Sequence, residues 1–115
     1  MKPSISYCEH ILAESDYLLK VSSEISRDVF LTDETLKRAF VRSLEIIGEA
    51  VKQVPDDFRD RYQNVEWRKM AGTRDKLIHN YLGVDYELVW DIVVSKIPFL
   101  KVSMEKIVQM ERLPQ

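Results

Sequence analysis

The chain is poor in cysteine, glycine, proline and histidine: one, three, four and two residues, respectively, among 115. A single thiol, Cys8, cannot close a disulfide within the chain, which fits a reducing compartment. Two imidazoles and one thiol offer no metal-ligand spacing, so no zinc site is expected. A glycine-rich phosphate loop is also missing, and no cofactor is expected. With so few breakers, long continuous elements are favoured over many turns. No stretch reaches the roughly 18 apolar residues of a membrane span. The segment Met1-Lys2-Pro3-Ser4 lacks the apolar run of a signal peptide. The expected location is therefore cytoplasmic, with no membrane partner. Nor is there an excess of basic charge, because the formal net charge is −2. Dedicated duplex-DNA binding, driven by phosphate neutralisation, is disfavoured. Contact with nucleic acid would need a local basic patch or transient action on a flexible strand.

What is present is helical rhythm. The composition, 45% hydrophobic and 31% charged, is that of one globular domain spanning residues 1–115. Ile5, Cys8, Leu12, Ser15 and Leu19 recur at helical spacing and predict a first helix over about residues 4–21. The polar stretch Ser22–Arg27 then loosens the pattern. Thr32 or Asp33 can cap a second helix, with Glu34 in its first turn. Its apolar stripe is Leu36, Phe40, Leu44, Ile47, Val51 and Val54. A charged stripe, Arg38, Arg42, Glu45, Glu49 and Lys52, runs beside it, and Pro55 closes it. Gly48 inside this helix costs about 1 kcal/mol relative to Ala, which a close helix–helix approach would explain. A short turn or helix comes next, around Phe58–Tyr62. A third long helix is expected over about Glu66–Tyr81, with Gly72 kinking it and Thr73 recapping it. Gly83 suits the left-handed position after its end. Asp85 caps the next helix, and Pro98 kinks or splits the C-terminal region. Strand signals are nearly absent. The expected fold is all-α: an antiparallel bundle of four to five helices.

Chemistry concentrates in one segment. Arg74, Asp75, His79, Asn80 and Tyr81 put a fixed cation, a carboxylate, an imidazole, an amide and a phenol within a few residues. On a helix Asp75 and His79, four apart, share a face, so Asp75 could hold one ring nitrogen and leave the other free. The negative end of the helix dipole would also favour imidazolium at His79. Arg74 and His79, five apart, diverge by about 140° on a regular helix. Either the helix deforms near its end or a second subunit completes the site, and this problem points to a dimer.

RNA cleavage needs a base for the 2′-hydroxyl, an acid for the leaving 5′-oxygen and a cation for the charged phosphorus centre. Two symmetry-related His79 residues could supply base and acid. Arg74 could clamp the phosphate through two hydrogen bonds. Arg68, Lys69, Arg74 and Lys76 concentrate positive charge here, with Asp75 the lone acid among residues 68–76.

At these residues the chain resembles the HepT-like toxins within the HEPN group of helical domains. The signature of arginine, a polar residue, three variable residues and histidine reads here Arg74, Asp75, Lys76-Leu77-Ile78, His79, and Tyr81 completes the Arg-x4-His-x-Tyr extension. Further similarity lies in Ile47-Gly48-Glu49-Ala50, in Trp67-Arg68 and in Val84-Asp85-Tyr86-Glu87-Leu88-Val89-Trp90. The resemblance covers roughly residues 5–110. It implies a homodimeric endoribonuclease toxin with the motif at the dimer interface, Arg74 and His79 as catalytic residues, and Asp75 and Asn80 in support. It also implies a toxin–antitoxin pair, or a higher hetero-oligomer of the two, in which an MntA-like minimal nucleotidyltransferase antitoxin transfers AMP onto Tyr81. Phosphates added there would occupy the substrate's place and pair with the arginine. The rival reading is a non-catalytic helical module that binds nucleotide or docks a nucleotidyltransferase.

Other candidates carry plainer roles. His10, isolated on the first helix, is an ordinary surface or boundary residue. Cys8 lies on the apolar stripe and belongs to the core. Asn80 contacts phosphate or helps terminate the helix. Trp67 and Trp90 are packing anchors before they are stacking platforms. The charged stripe of the second helix is a solvated face, or in a dimer flanks the active groove.

Overall fold

The computed structural model describes residues 3–77 and 83–113, and its regular elements there are eight helices. Four longer ones form the bundle: α1 (Pro3–Glu24), α3 (Glu34–Gln53), α7 (Tyr86–Ser95) and α8 (Ile97–Glu111). Four shorter ones fill its ends and one flank: α2 (Arg27–Thr32), α4 (Asp56–Arg61), α5 (Trp67–Ala71) and α6 (Thr73–Leu77). The all-α expectation holds.

Side-chain caps set the starts of three helices. Ser26 accepts from the Val29 amide at α2, Asp33 from Leu36 at α3 and Asp85 from Leu88 at α7, each satisfying an otherwise orphaned N–H. Of the two candidate caps for α3, Asp33 is therefore the one used. The loosened stretch after the first helix conceals α2. Its apolar content is too short for periodicity, but Ser26 followed by Asp28 in the first turn is a legible start signal.

Helix α1 is the central element, packing mainly on α3 and α8. Its buried stripe is Ile5, Cys8, Ile11, Ser15 and Leu18. Leu12 and Leu19, expected on that stripe, are half-buried at its edge. The stripe is rotated because α1 fits between two neighbours rather than lying on one. Ser15 is tolerated in the core because its Oγ donates to the Ile11 carbonyl at 2.8 Å. Polar ties lock the same seams. The Ser43 hydroxyl donates to Glu14 at 2.8 Å, Lys101 pairs with Asp16 at 2.9 Å, and Arg112 pairs with Glu9.

The α3 stripe is as expected: Phe40, Leu44, Ile47, Val51 and Val54 are buried, with Leu36 packed at the edge. Phe40 and Phe30 approach to 4.8 Å between ring centroids, and Phe30 and Trp90 to 5.3 Å, which joins α2, α3 and α7. Pro98 splits the C-terminal region. Lacking an N–H, it sits in the first turn of α8, where no donor is required.

Candidate active site

The site is built on α5 and α6, which α3 holds in place. Trp67 and Met70 bury one face of α5, and the Trp67 indole N–H donates to the Tyr62 carbonyl at 3.0 Å. Gly48 lets this short helix come close. A Cβ there would stand 3.3 Å from the Met70 carbonyl oxygen and 3.6 Å from that of Ala71. The glycine within α3 thus has the close-approach explanation its position suggested.

Gly72 breaks the expected long helix in two. Its N–H closes on the Arg68 carbonyl at 3.0 Å, and its own carbonyl accepts from Lys76 at 3.4 Å. Thr73 does not recap the second piece. It is buried, and its hydroxyl donates backward to the Lys69 carbonyl at 3.0 Å, so it fastens α6 to α5 instead. From there Arg74, Asp75 and Lys76 are exposed and Leu77 is buried.

Arg74 is the described member of the motif with a defined partner. Its Nε–H donates to Glu45 Oε2 on α3 at 3.2 Å, with the arginine side chain 56% and the glutamate 24% exposed. Among the described residues this is the arginine's one hydrogen bond. The guanidinium is held by its inner nitrogen, and its two terminal amino groups, without a partner among the described residues, form a fork. Glu45 belongs to the charged stripe of α3, whose other members Arg38, Arg42, Glu49 and Lys52 are exposed as a solvated face would be. Its pairing with a residue 29 positions away left no signal in the local pattern.

His79, Asn80 and Tyr81 lie outside the described residues, and so does the expected Asp75–His79 pairing. Their flanks are defined. Leu77 is in the core, and the Asp85 N–H donates to the Leu77 carbonyl at 2.8 Å. Asp85 also caps α7. Gly83 has φ of +87°, the left-handed conformation foreseen for it.

The basic cluster is real at the surface: Arg68, Lys69, Arg74 and Lys76 are all exposed. Lys69 pairs with Glu66 at 2.6 Å, and this hydrogen bond raises the lysine pKa and lowers that of the glutamate. The remaining candidates take the plainer roles: Trp67 and Trp90 are buried packing residues, and His10 is exposed on α1. Cys8 is fully buried, and burial pushes its thiol up to about 11. Among the described residues no group of three or more histidines, cysteines or carboxylates could hold a metal ion, and no helix is long and apolar enough to cross a membrane.

Comparison with known proteins places this geometry in context. Residues 9–107 match the family model described as ribonuclease HepT-like. A protein of Caldanaerobacter subterraneus subsp. tengcongensis, provisionally named an RNase, is 47% identical over 112 residues, covering 97% of this chain and 100% of the relative. A Thermococcus cleftensis protein carrying the provisional name ribonuclease HepT is 43% identical, covering 88% of this chain and 92% of its own. A provisionally named RNase of Methanocaldococcus jannaschii is 43% identical over 99 residues, 86% of this chain and 82% of its own. No solved structure matches the chain.

Proposed function

Because the chain belongs to the HepT-like ribonuclease family, we propose that it is a metal-independent endoribonuclease toxin of a toxin–antitoxin pair, with Arg74 and His79 as its catalytic residues. The observation that supports this best is the state of Arg74. It is exposed on a short helix fastened to the core, bound at Nε by Glu45, with its terminal nitrogens free among the described residues. A guanidinium so held is ready to take two oxygens of a phosphodiester.

In this reading one His79 imidazole removes the 2′-hydroxyl proton. The 2′-oxygen attacks phosphorus, and the bond to the 5′-oxygen breaks. The His79 of a second protomer, entering as imidazolium, protonates that leaving oxygen. The products are a 2′,3′-cyclic phosphate and a free 5′-hydroxyl. Arg74 stabilises the negative charge that builds on the phosphoryl oxygens. Asp75 orients His79, and Asn80 assists at the phosphate. The homodimer supplies the second imidazole and relieves the divergence of Arg74 and His79 on one helix.

The same reading assigns the control step to Tyr81. An MntA-like minimal nucleotidyltransferase would join the tyrosine oxygen to the α-phosphorus of ATP with loss of pyrophosphate. The resulting AMP would compete with RNA for Arg74.

The test is RNA cleavage by unmodified protein, purified alone, with EDTA present. Cyclic-phosphate ends are expected, together with loss of both cleavage and growth inhibition in His79→Ala at unchanged helicity. Full toxicity of that variant would end the catalytic assignment. Complete inactivity of unmodified wild type would favour a non-catalytic module that docks a nucleotidyltransferase.

A further inference from the structure

On the flank of α6 away from Glu45 lies a groove of about 210 Å³, walled by α5 and α6 on one side and by α7 and α8 on the other. Arg74 and Lys76 are two residues apart, roughly 200° around a helix. One therefore turns toward α3, and the other lines this groove. The groove floor is apolar, with Met70 and Leu100 in it. Its rim carries Lys69, Lys76 and Lys96, all exposed, against one carboxylate, Glu66. Lys69 occupies that carboxylate directly, while Lys76 and Lys96 act on it only at longer range. Neither of these two has an ion pair among the described residues.

Phe99, in the first turn of α8, stands at the same rim with 76% of its surface exposed. Val102, three residues on in α8, is exposed as well, and scattered exposed apolar residues need no explanation. An exposed aromatic ring beside two cations that have no ion pair among the described residues, in a chain of net charge −2, is a different arrangement. It is the combination that holds single-stranded nucleic acid: a face on which a base stacks, and cations spaced along the backbone.

We propose that this groove binds a single-stranded RNA segment flanking the cleaved bond, with one base stacked on Phe99 and backbone phosphates on Lys76 and Lys96. The inference rests on the ribonuclease reading for the identity of its ligand, but its chemistry is separate from that of Arg74 and His79. It supplies affinity and strand path, and no bond is made or broken there. It also answers the charge problem, because a locally positive strip lets an acidic protein hold a polyanion.

The test uses a fluorescent, fully 2′-O-methylated RNA oligonucleotide, which binds but cannot be cleaved. Anisotropy titrations compare wild type with Phe99→Ala, Phe99→Tyr and the double variant Lys76→Gln/Lys96→Gln at several salt concentrations. Phe99→Ala is expected to weaken binding by about fivefold to 150-fold, the range for loss of one base–aromatic stack, and Phe99→Tyr to restore it. The lysine double variant is expected to flatten the slope of log K against log salt by about 1.4, roughly 0.7 for each lost single-strand phosphate contact. Cleavage of a dinucleoside monophosphate, too short to reach the groove, should be the same in wild type and in both Phe99 variants. Unchanged affinity and slope in the variants, or no binding by wild type, would overturn the proposal. So would a drop in oligomer mass for Phe99→Ala by light scattering, since the ring would then belong to a subunit contact. Should groove-dependent binding appear without any cleavage, the groove stands and the catalytic reading falls; cleavage that ignores the groove gives the reverse.

Discussion

Removing the Glu45 carboxylate separates what that residue does for the fold from what it does for Arg74. The pair joins a side chain 56% exposed to one 24% exposed, and such ion pairs contribute about 0–1 kcal/mol to stability. Glu45→Ala should therefore lower the melting temperature by less than about 4–8 °C, the shift that 1 kcal/mol produces in a domain near this size. The larger consequence concerns the arginine. Without its Nε anchor the guanidinium must be ordered by the substrate, at about 0.5–1.5 kcal/mol for a rotamer-rich side chain. That corresponds to a loss of roughly twofold to twelvefold in kcat/KM for RNA. Removing the cation itself, in Arg74→Ala, should cost about 10²–10³, the scale for deleting a transition-state donor. Glu45→Gln keeps an oxygen that accepts from Nε, and it should recover most of the Glu45→Ala loss. The assay is steady-state cleavage of a fluorogenic RNA, with thermal unfolding run in parallel. A loss in Glu45→Ala as large as that in Arg74→Ala would refute the positioning argument. A gain in activity would refute it too, because the carboxylate would then be a competitor of the phosphate.

Two further outcomes concern the scaffold. Gly48→Val places branched carbons against the Met70 and Ala71 carbonyls, the nearer only 3.3 Å from a first Cβ. It should destabilise by about 1–3 kcal/mol, seen as a lower denaturant midpoint; an unchanged midpoint would mean that α5 is not held as described. The pH response should be alkaline. Burial raises the Cys8 thiol from 9.0 to about 11. Burial and the hydrogen bond to Glu111 raise the Tyr62 phenol from 10.0 to about 12. Both folded values lie above the unfolded ones, so the stability these protons confer is complete below pH 9 and is lost as pH climbs through 11 and 12. Chemical denaturation from about pH 7 to 12 checks the window, and brisk labelling of Cys8 by a thiol reagent in folded protein at about pH 8 would contradict it.

Much of this molecule is legible before any coordinate is known, where the cause is local. The α3 stripe, the Asp33 and Asp85 caps, the Pro98 split and the left-handed Gly83 each come from periodicity, a capping side chain, a missing N–H or a missing Cβ. What escapes is set by neighbours. The face of α1 is fixed by its fit between α3 and α8, so Ile11 and Leu18 enter the core where Leu12 and Leu19 were expected. Thr73 abandons the capping role because the Lys69 carbonyl lies within its reach. Glu45 looks like any solvated charge until α6 is brought against α3. At the candidate site the family resemblance is carried by the whole run from Trp67 to Trp90 rather than by the Arg-x4-His spacing alone, and Arg74 is exposed, as the proposed phosphate contact requires. His79, Asn80 and Tyr81 lie outside the described residues.

Asp85 uses its two polar ends for different neighbours: its amide reaches back to Leu77 and its carboxylate forward to the Leu88 amide. One residue therefore joins the end of α6 to the root of α7. If RNA or AMP binds the motif as proposed, the exchange rate of one backbone proton, that of Leu88, is where a remote response would be sought.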